Sequence, residues 1–383
     1  MDDAPIKVFV DTSSVSYYPT GVSIYMLSLL RELLKMCDEA EVVSGVASIR
    51  PRVQRRICEL LAEHGVKLPF SRIWLPGRIA AAFPRLGRLL AIPPVPQVDV
   101  VHATSYLPPA WVNADRLVVT VHDLRWFRFP QPEFTPWERL RQEMPAVAQR
   151  ADAIVADSHA TKRDVCEFLE VPEQRVFVAH LAPQEPWPDI DGHTTRAVLR
   201  EWQLRPGDYF LTVAEIAPHK NYARLLEAFG RFHDARPDAT LVVVGRYGWH
   251  AEAERKRIVE MAPAVRWIQG CTPEQLRALY GGARAFFLVS LYEGFGLPVV
   301  EAMSSGCPVC YATGSAMDEV AGEAGVAVDP EDVASIHEAM LSLWDDAHLR
   351  ERLACGARER ARLFTWERTA RRTLEAYRYA LAH

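Results

Sequence analysis

The chain predicts an α/β protein of two domains, each an open, doubly wound parallel sheet with helices on both faces. Three observations carry that prediction. Short apolar runs alternate with amphipathic helical patterns along almost the whole sequence. A polar, proline-rich stretch, residues 183 to 195 (PQEPWPDIDGHTT), interrupts the alternation near the middle and reads as an interdomain linker. The length of 383 residues, with 49% hydrophobic and 24% charged side chains, suffices for two cores of ordinary globular composition.

In chain order, the first half offers strands at Lys7–Val10, Glu41–Val43, Val98–His102, Leu117–His122, Ala153–Asp157 and Val176–Ala179. Helical patterns follow several of them, such as Val22–Leu34 and Thr161–Leu169. Strands separated by helices pair in parallel, and ligands of such sheets bind beyond the carboxyl ends of the strands. After the linker a second series runs Tyr209–Ala214, Thr240–Val244, Val265–Ile268, Ala285–Ser290, Pro308–Tyr311 and Val326–Val328. The tail from Phe364 to Ala382 reads as a helix. The expected division is therefore 1–183, 196–363 and a closing helix over 364–383.

Bulk properties exclude several classes. A net charge of −5 argues against general nucleic-acid binding. The acidic start MDDAPIK is not a signal peptide, and no run of about 18 apolar residues predicts a spanning helix. Scattered cysteines, seven in number, fit a reducing cytoplasm. Cys307 and Cys310 form a C-x-x-C, read as buried structural cysteine because the pair lies at a helix end and in the following strand. The D-x-D at Asp189-Ile190-Asp191 falls in the linker rather than after a buried strand, and no cluster has zinc spacing, so no metal is expected.

The most informative stretch is Glu293-Gly294-Phe295-Gly296-Leu297-Pro298-Val299-Val300-Glu301, directly after an apolar strand. Strand, glycine-rich loop and helix is the arrangement in which backbone N–H groups meet phosphate. Pro298 suits the first turn of the helix, where its missing N–H costs nothing. Glu293 would stay in the loop and Glu301 would lie about one turn into the helix. A tight strand-to-helix turn without a ligand is the plainer alternative. In YFLTVAEIAPHKNYARLLEAF, residues 209 to 229, a strand ends near Ala214 and a helix begins after Asn221. Lys220 therefore stands at a helix N-terminus beside the strand ends. A fixed cation there suits a diphosphate leaving group, whose oxygen gains negative charge as a sugar–phosphate bond breaks.

These motifs resemble glycosyltransferase family 4, retaining enzymes of the GT-B fold. The run YEGFGLPVVEAMSSGCPV is close to that family's E-x7-E signature, and P-x-K-N resembles its phosphate loop. The resemblance implies two Rossmann-like domains facing across a crevice, with a C-terminal helix crossing back to the first. It implies catalytic roles for Lys220, Glu293 and His122. Glu301 would hold the ribose hydroxyls, since ionised glutamate accepts two hydrogen bonds at once. Glu293 would bind sugar hydroxyls or orient the donor, and the loop of Gly294, Phe295, Gly296 and Leu297 would turn its amides to phosphate or sugar oxygens. Gly270, Cys271 and Thr272 resemble the family's base pocket, although Thr272 before Pro273 equally suits a helix cap.

The family often carries an arginine shortly before the lysine, where this chain reads Ala214-Glu215-Ile216-Ala217. Arg246 is either a substitute cation or a solvated loop residue. Gly21 resembles the family's N-terminal glycine loop, or simply starts a helix. His122, at the end of VVTVHD, corresponds to a family histidine near the reacting sugar carbon, able to hydrogen-bond the sugar or pass a proton. Asp123, His102 and Ser158 lie at neighbouring strand ends and are assigned to the acceptor side, with helix capping the alternative for Ser158 and Thr161.

Residues 50–90 are rich in arginine, and no acidic residue occurs between Ser71 and Pro94, while Trp74, Ile79, Phe83, Leu89 and Leu90 are apolar. Such a stretch either lies on an anionic membrane surface or is a core helix with a solvated basic face. The resulting expectation is a cytoplasmic, metal-independent, retaining hexosyltransferase without a cofactor, taking a nucleotide diphosphate sugar (GDP-mannose first) as donor. A saccharide or lipid-linked saccharide is the expected acceptor, at the inner face of the membrane if the basic stretch binds there. The resemblance is nearest to bacterial mannosyl- and rhamnosyl-type transferases of surface polysaccharide, such as lipopolysaccharide, assembly. A UDP-sugar donor, a nucleotide-sugar epimerase and a non-catalytic sensor are the rivals. A dinucleotide oxidoreductase is disfavoured, because no G-x-G-x-x-G follows the first strand.

Overall fold

A computed structural model of the chain describes residues 4–12, 21–48, 50–74, 79, 83, 85, 89–94, 97–109, 112–129, 135–184, 187 and 190–383. The chain divides into two compact units, Met1–Leu181 with Thr365–His383, and Ala182–Phe364. Each is an α/β unit built on a parallel sheet, the class that the alternation predicts.

In the first unit the strands are β1 (Ile6–Asp11), β2 (Ala40–Ala47), β3 (Phe70–Ile73), β4 (Ala91–Ile92), β5 (Val98–Ala103), β6 (Ala114–Val121), β7 (Ala153–Ala156) and β8 (Val176–Val178). Their order is β4-β3-β2-β1-β5-β6-β7-β8, parallel except for the β3–β4 pair. Runs such as Val98–Ala103 and Ala153–Ala156 are rich in valine, isoleucine and alanine and almost wholly buried, as a sheet covered on both faces requires. The described helices are α1 (Gly21–Lys35), α2 (Pro51–Glu63), α3 (Arg125–Arg128), α4 (Thr135–Arg150) and α5 (His159–Phe168).

The C-terminal helix, Trp366–Ala382, also belongs to this unit. It buries Trp366, Ala370, Leu374, Tyr377 and Ala380 against α1 and strands β5 to β8. Burying a tryptophan and a tyrosine contributes several kcal/mol, on the order of 2–3 per large side chain, so this helix is a permanent part of the unit.

In the second unit the strands are β9 (Tyr209–Val213), β10 (Thr240–Val244), β11 (Val265–Ile268), β12 (Ala285–Leu288), β13 (Val309–Ala312) and β14 (Gly325–Val328), in the order β11-β10-β9-β12-β13-β14. The order reverses between β9 and β12, which makes the carboxyl ends of these two strands the switch point of the sheet. The helices are α6 (Gly192–Glu201), α7 (Tyr222–Ala235), α8 (Glu252–Glu260), α9 (Pro273–Gly282), α10 (Leu297–Ser304), α11 (Met317–Ala321), α12 (Val333–Asp345) and α13 (Ala347–Ala361). The core is aromatic, with Phe210, Phe229, Phe232 and Phe287 completely buried.

Two expectations are corrected. Residues 183 to 195 are not all linker: Asp191 caps α6, accepting from the Thr194 amide at 2.7 Å, and α6 packs on α9. Trp187 also lies against Tyr280, with ring centroids 6.1 Å apart. Asp191 is therefore engaged as a cap, while Asp189 lies outside the described residues. The amphipathic stretch from 71 to 94 is not one helix, because its described ends form the antiparallel β3–β4 pair at the sheet edge. Four residues of alternating exposure were too short a signal inside an arginine-rich run. Among the described residues no helix is long and apolar enough to cross a membrane.

Candidate active site

The reversal between β9 and β12 brings two loops together. After β9 the chain makes a tight turn, Pro218–Lys220, and Asn221 adopts a left-handed conformation (φ 59°) before α7 begins. The Asn221 amide donates to the carbonyls of Val289 (3.0 Å) and Pro330 (2.7 Å), and so pins this turn to the end of β12. The Leu291 N–H donates to the His219 carbonyl at 2.8 Å, a second tie between the same loops.

Lys220 then reaches across to Glu293, with Nζ donating to Oε1 at 2.6 Å and both side chains only 12–13% exposed. An ion pair withdrawn from water loses much of its Coulomb gain to desolvation, so its presence alone is weak evidence of a stabilising role. Its position at the switch point, where ligands of open α/β sheets bind, points instead to chemistry.

Beyond Glu293 the loop turns through Gly296, whose φ of 92° favours glycine and where a Cβ would stand a tight 3.1 Å from the Met317 side chain. Leu297 opens α10 and Pro298 follows in its first turn. Phe295 is buried, edge-on to Phe364. Glu301 projects from α10 into a buried position and accepts a hydrogen bond from the Tyr280 hydroxyl at 2.9 Å. Burial raises its carboxyl to about 7, against the lowering effect of that hydrogen bond. Glu301 is therefore not the simple carboxylate that the sequence suggests; it titrates near neutrality.

Cys271 lies close enough to Glu301 to feel its charge, and burial with that charge pushes the thiol up to about 11. Gly270, Cys271 and Glu301 thus share one end of the site. Thr272 forms a complete capping box with Gln275, donating and accepting at 2.9 and 3.1 Å. Arg246 is exposed after β10.

In the first unit the sequence-predicted groups behave differently. His122 is buried, its Nδ1 2.8 Å from Asp157 Oδ2 and its Nε2 2.9 Å from the Thr104 carbonyl oxygen. Both nitrogens face acceptors, so the imidazolium satisfies both contacts. Burial opposes that charge, but Asp157 outweighs it and holds the imidazole above its ordinary value. Asp123 is buried beside Arg125, whose Nε donates at 2.9 Å; burial raises the carboxyl, but the guanidinium prevails and holds it below the usual range. Gly21 is the exposed first residue of α1, while the loop before it, residues 13–20, lies outside the described residues.

Two residues assigned to the acceptor side are engaged inside the first unit. His102 is completely buried, with Nδ1 2.7 Å from the Tyr377 hydroxyl and Nε2 2.7 Å from Thr120 Oγ1, which in turn meets the Tyr25 hydroxyl at 2.8 Å. Burial lowers this imidazole to about 3, so it is neutral and structural, tying the C-terminal helix to β5, β6 and α1. Ser158 is also buried and its Oγ accepts from the Thr161 amide at 2.9 Å as the cap of α5.

Sequence reasoning missed three partners. Tyr280 holds Glu301, and Asp157 holds His122. Tyr106, in a left-handed conformation (φ 64°), stands edge-on to His122 with centroids 5.8 Å apart. Asp157 could have been found as a carboxylate ending a buried strand; Tyr280, inside an amphipathic helix, had no such signal.

Comparison with known proteins gives the family and the fold. Residues 201–360 match the family model described as glycosyl transferases group 1, and residues 19–182 match glycosyltransferase family 4. The chain is 29% identical over 386 residues to the O-antigen chain mannosyltransferase B of Escherichia coli, covering 97% of this chain and 100% of that one. It is 29% identical to the MMP alpha-(1->4)-mannosyltransferase of Mycolicibacterium hassiacum, covering 94% and 95%. Among solved structures, Anabaena HepE in complex with UDP-glucose superposes with a TM-score of 0.76 at 15% identity, covering 97% and 98%. At that identity the likeness concerns the fold, which is that of the GT-B glycosyltransferases.

Proposed function

We propose, from the premise that this chain belongs to the group 1, family 4 glycosyltransferases, that it moves mannose from GDP-mannose to a growing surface glycan with retention of configuration. The relatives named as mannosyltransferases support the sugar, and the E. coli relative is named for O-antigen chains. The observation that carries the reading is the Lys220–Glu293 pair at the reversal between β9 and β12.

In this reading Lys220 leaves Glu293 to meet the donor diphosphate and stabilises the charge that develops on the departing oxygen. Glu293, released, accepts hydrogen bonds from sugar hydroxyls. Glu301, ionised, takes the vicinal hydroxyls of the ribose, and the backbone of Gly270 to Thr272 reads the base edge. The amides of Phe295, Gly296 and Leu297 receive phosphate or sugar oxygens at the start of α10. His122, with both ring nitrogens held by Asp157 and the Thr104 carbonyl, acts as a fixed positioning group rather than as a proton carrier. Retention follows from front-face attack, with the leaving diphosphate taking the acceptor's proton. No metal or organic cofactor is required, since Lys220 supplies the cation.

The expected place of action is the cytoplasmic face of a membrane, with a saccharide or lipid-linked saccharide as acceptor. Trp74, Phe83, Leu89 and Ile92 are 49–82% exposed, and the basic Arg72 and Arg85 are exposed among them. Aromatic and aliphatic side chains with interspersed arginines suit an anionic lipid surface. Flotation with anionic but not neutral vesicles is expected, and equal flotation with neither would reject this part.

The main test is calorimetry with GDP, UDP and their sugars in the presence of EDTA, followed by transfer of radiolabelled mannose to a lipid-linked acceptor. Selective GDP-mannose binding and transfer are expected. Selective UDP binding would replace the donor, and sugar interconversion without acceptor would replace the reaction class.

A further inference from the structure

We propose that Trp249 is a positioning residue for Lys220, and that the loop following β10 is thereby a working part of the donor site. The proposal rests on the reading that Lys220 meets the donor diphosphate.

Residues 245 to 250 (GRYGWH) run alongside the loop after β9 as a parallel extension of the sheet. The Ile216 amide donates to the Arg246 carbonyl and the Gly248 amide to the Ile216 carbonyl, both at 3.0 Å, with a bridge between Ile216 and Tyr247. The approach is close enough to require glycine at 245. Its φ is 152°, and a Cβ there would stand 2.0 Å from the Ala214 carbonyl oxygen. From β11, the Trp267 indole N–H donates to the Gly245 carbonyl at 2.7 Å and holds the loop from its other side. The path of this loop is thus over-determined before Trp249 is reached.

Trp249 is half-buried, and its indole stacks on the His219 imidazole, with centroids 6.3 Å apart and planes 22° apart. His219 immediately precedes Lys220 in the same short turn and is buried. Its carbonyl accepts the Leu291 N–H, so the turn is gripped by an aromatic ring from the β10 side and by backbone from the β12 side. Lys220 leaves this grip toward Glu293. A lysine has a long stem with many rotamers, and its charge acts at the right place only if its backbone is held. Misplacement by about 1 Å costs a catalytic contact up to about 100-fold. The indole therefore acts on the diphosphate contact without touching the nucleoside.

This predicts a specific signature. Lys220 contributes to the affinity for a nucleoside diphosphate over the monophosphate, so Trp249→Ala should lower that ratio and leave monophosphate affinity unchanged. Calorimetry of wild type, Trp249→Ala, Trp249→Phe and Lys220→Ala with GDP and GMP, and with UDP and UMP, tests it. The diphosphate-to-monophosphate ratio is expected to fall about 5- to 20-fold in Trp249→Ala, to stay within about 3-fold of wild type in Trp249→Phe, and to fall furthest in Lys220→Ala. An unchanged ratio in Trp249→Ala beside a collapsed ratio in Lys220→Ala overturns the inference alone. Equal weakening of mono- and diphosphate overturns it too, because it marks general damage to the unit. An unchanged ratio in Lys220→Ala overturns the diphosphate reading of Lys220 itself.

Discussion

The carboxyl ends of the two sheets carry similar residue types and use them in opposite ways. In the second unit, among the described residues, Lys220 and Glu293 pair with each other across the β9–β12 reversal, partly buried, and the Glu301 carboxylate accepts from the Tyr280 hydroxyl. In the first unit, His122, Asp123, His102 and Ser158 are all buried, and each is spent on a neighbour: a carboxylate, a guanidinium, two hydroxyls and a helix amide. Hydrogen-bonding capacity that is already used holds a scaffold together, whereas capacity in reserve is available to a ligand. The difference separates groups proposed to bind the donor from groups that hold the first unit together.

The sharpest way to break this comparison is Lys220→Ala. If the pair is chemical, turnover should fall about 100- to 1000-fold while the unfolding midpoint in urea moves little. A large drop in the midpoint with residual activity in the folded fraction would make the pair structural.

His102→Ala should show the reverse. It opens a cavity and strands the Tyr377 hydroxyl and Thr120 in the core, a loss of about 3 kcal/mol or more in the first unit. Urea unfolding followed by tryptophan fluorescence measures this, since Trp366 lies in the same unit. Unchanged stability with lost acceptor binding would restore His102 to the acceptor side.

These two residues also mark what was legible in the sequence. The alternation of strands and helices was enough for the α/β class, because apolar period and length are local properties. Lys220 and Glu293 could be singled out because each lies in a loop whose glycine, proline and asparagine chemistry is itself local. Their meeting at 2.6 Å depends on strand order, which a single sequence does not state. The partners of His102 were hidden for the same reason. A histidine ending a strand faces solvent unless another element covers it, and the covering tyrosine comes from Tyr377, 275 residues later. The β3–β4 edge pair was hidden by its shortness inside a basic run.

A smaller effect sharpens the donor side. With its carboxyl near 7, Glu301 is mostly protonated at pH 6 and mostly ionised at pH 8. A ribose diol donates its hydrogens to the ionised form, so nucleotide affinity should rise about 10-fold over that interval and then level off. Glu301→Gln, which cannot ionise, should bind weakly and with little pH dependence. Calorimetry at pH 6, 7 and 8 decides; a falling affinity in the wild type would mean that the protonated acid is the binding form.

The smallest predicted effect concerns Thr272, where cap and base pocket were both open readings. Its hydroxyl accepts from the Gln275 amide, and the Gln275 side chain accepts from the Thr272 amide, so the capping box is complete. Replacement by alanine removes one half of that exchange and should cost about 1 kcal/mol. Gly270 and Cys271 precede it, and any recognition of the base through backbone groups there survives if the helix start stays in place. Thr272→Ala should therefore lower the urea midpoint slightly and leave nucleotide affinity within about 2-fold, whereas Thr272→Ser should change neither. If Thr272→Ala loses affinity about 10-fold or more while Thr272→Ser retains it, the hydroxyl reads the base as well as capping the helix, and reserve capacity in the second unit extends to a group that already holds the scaffold.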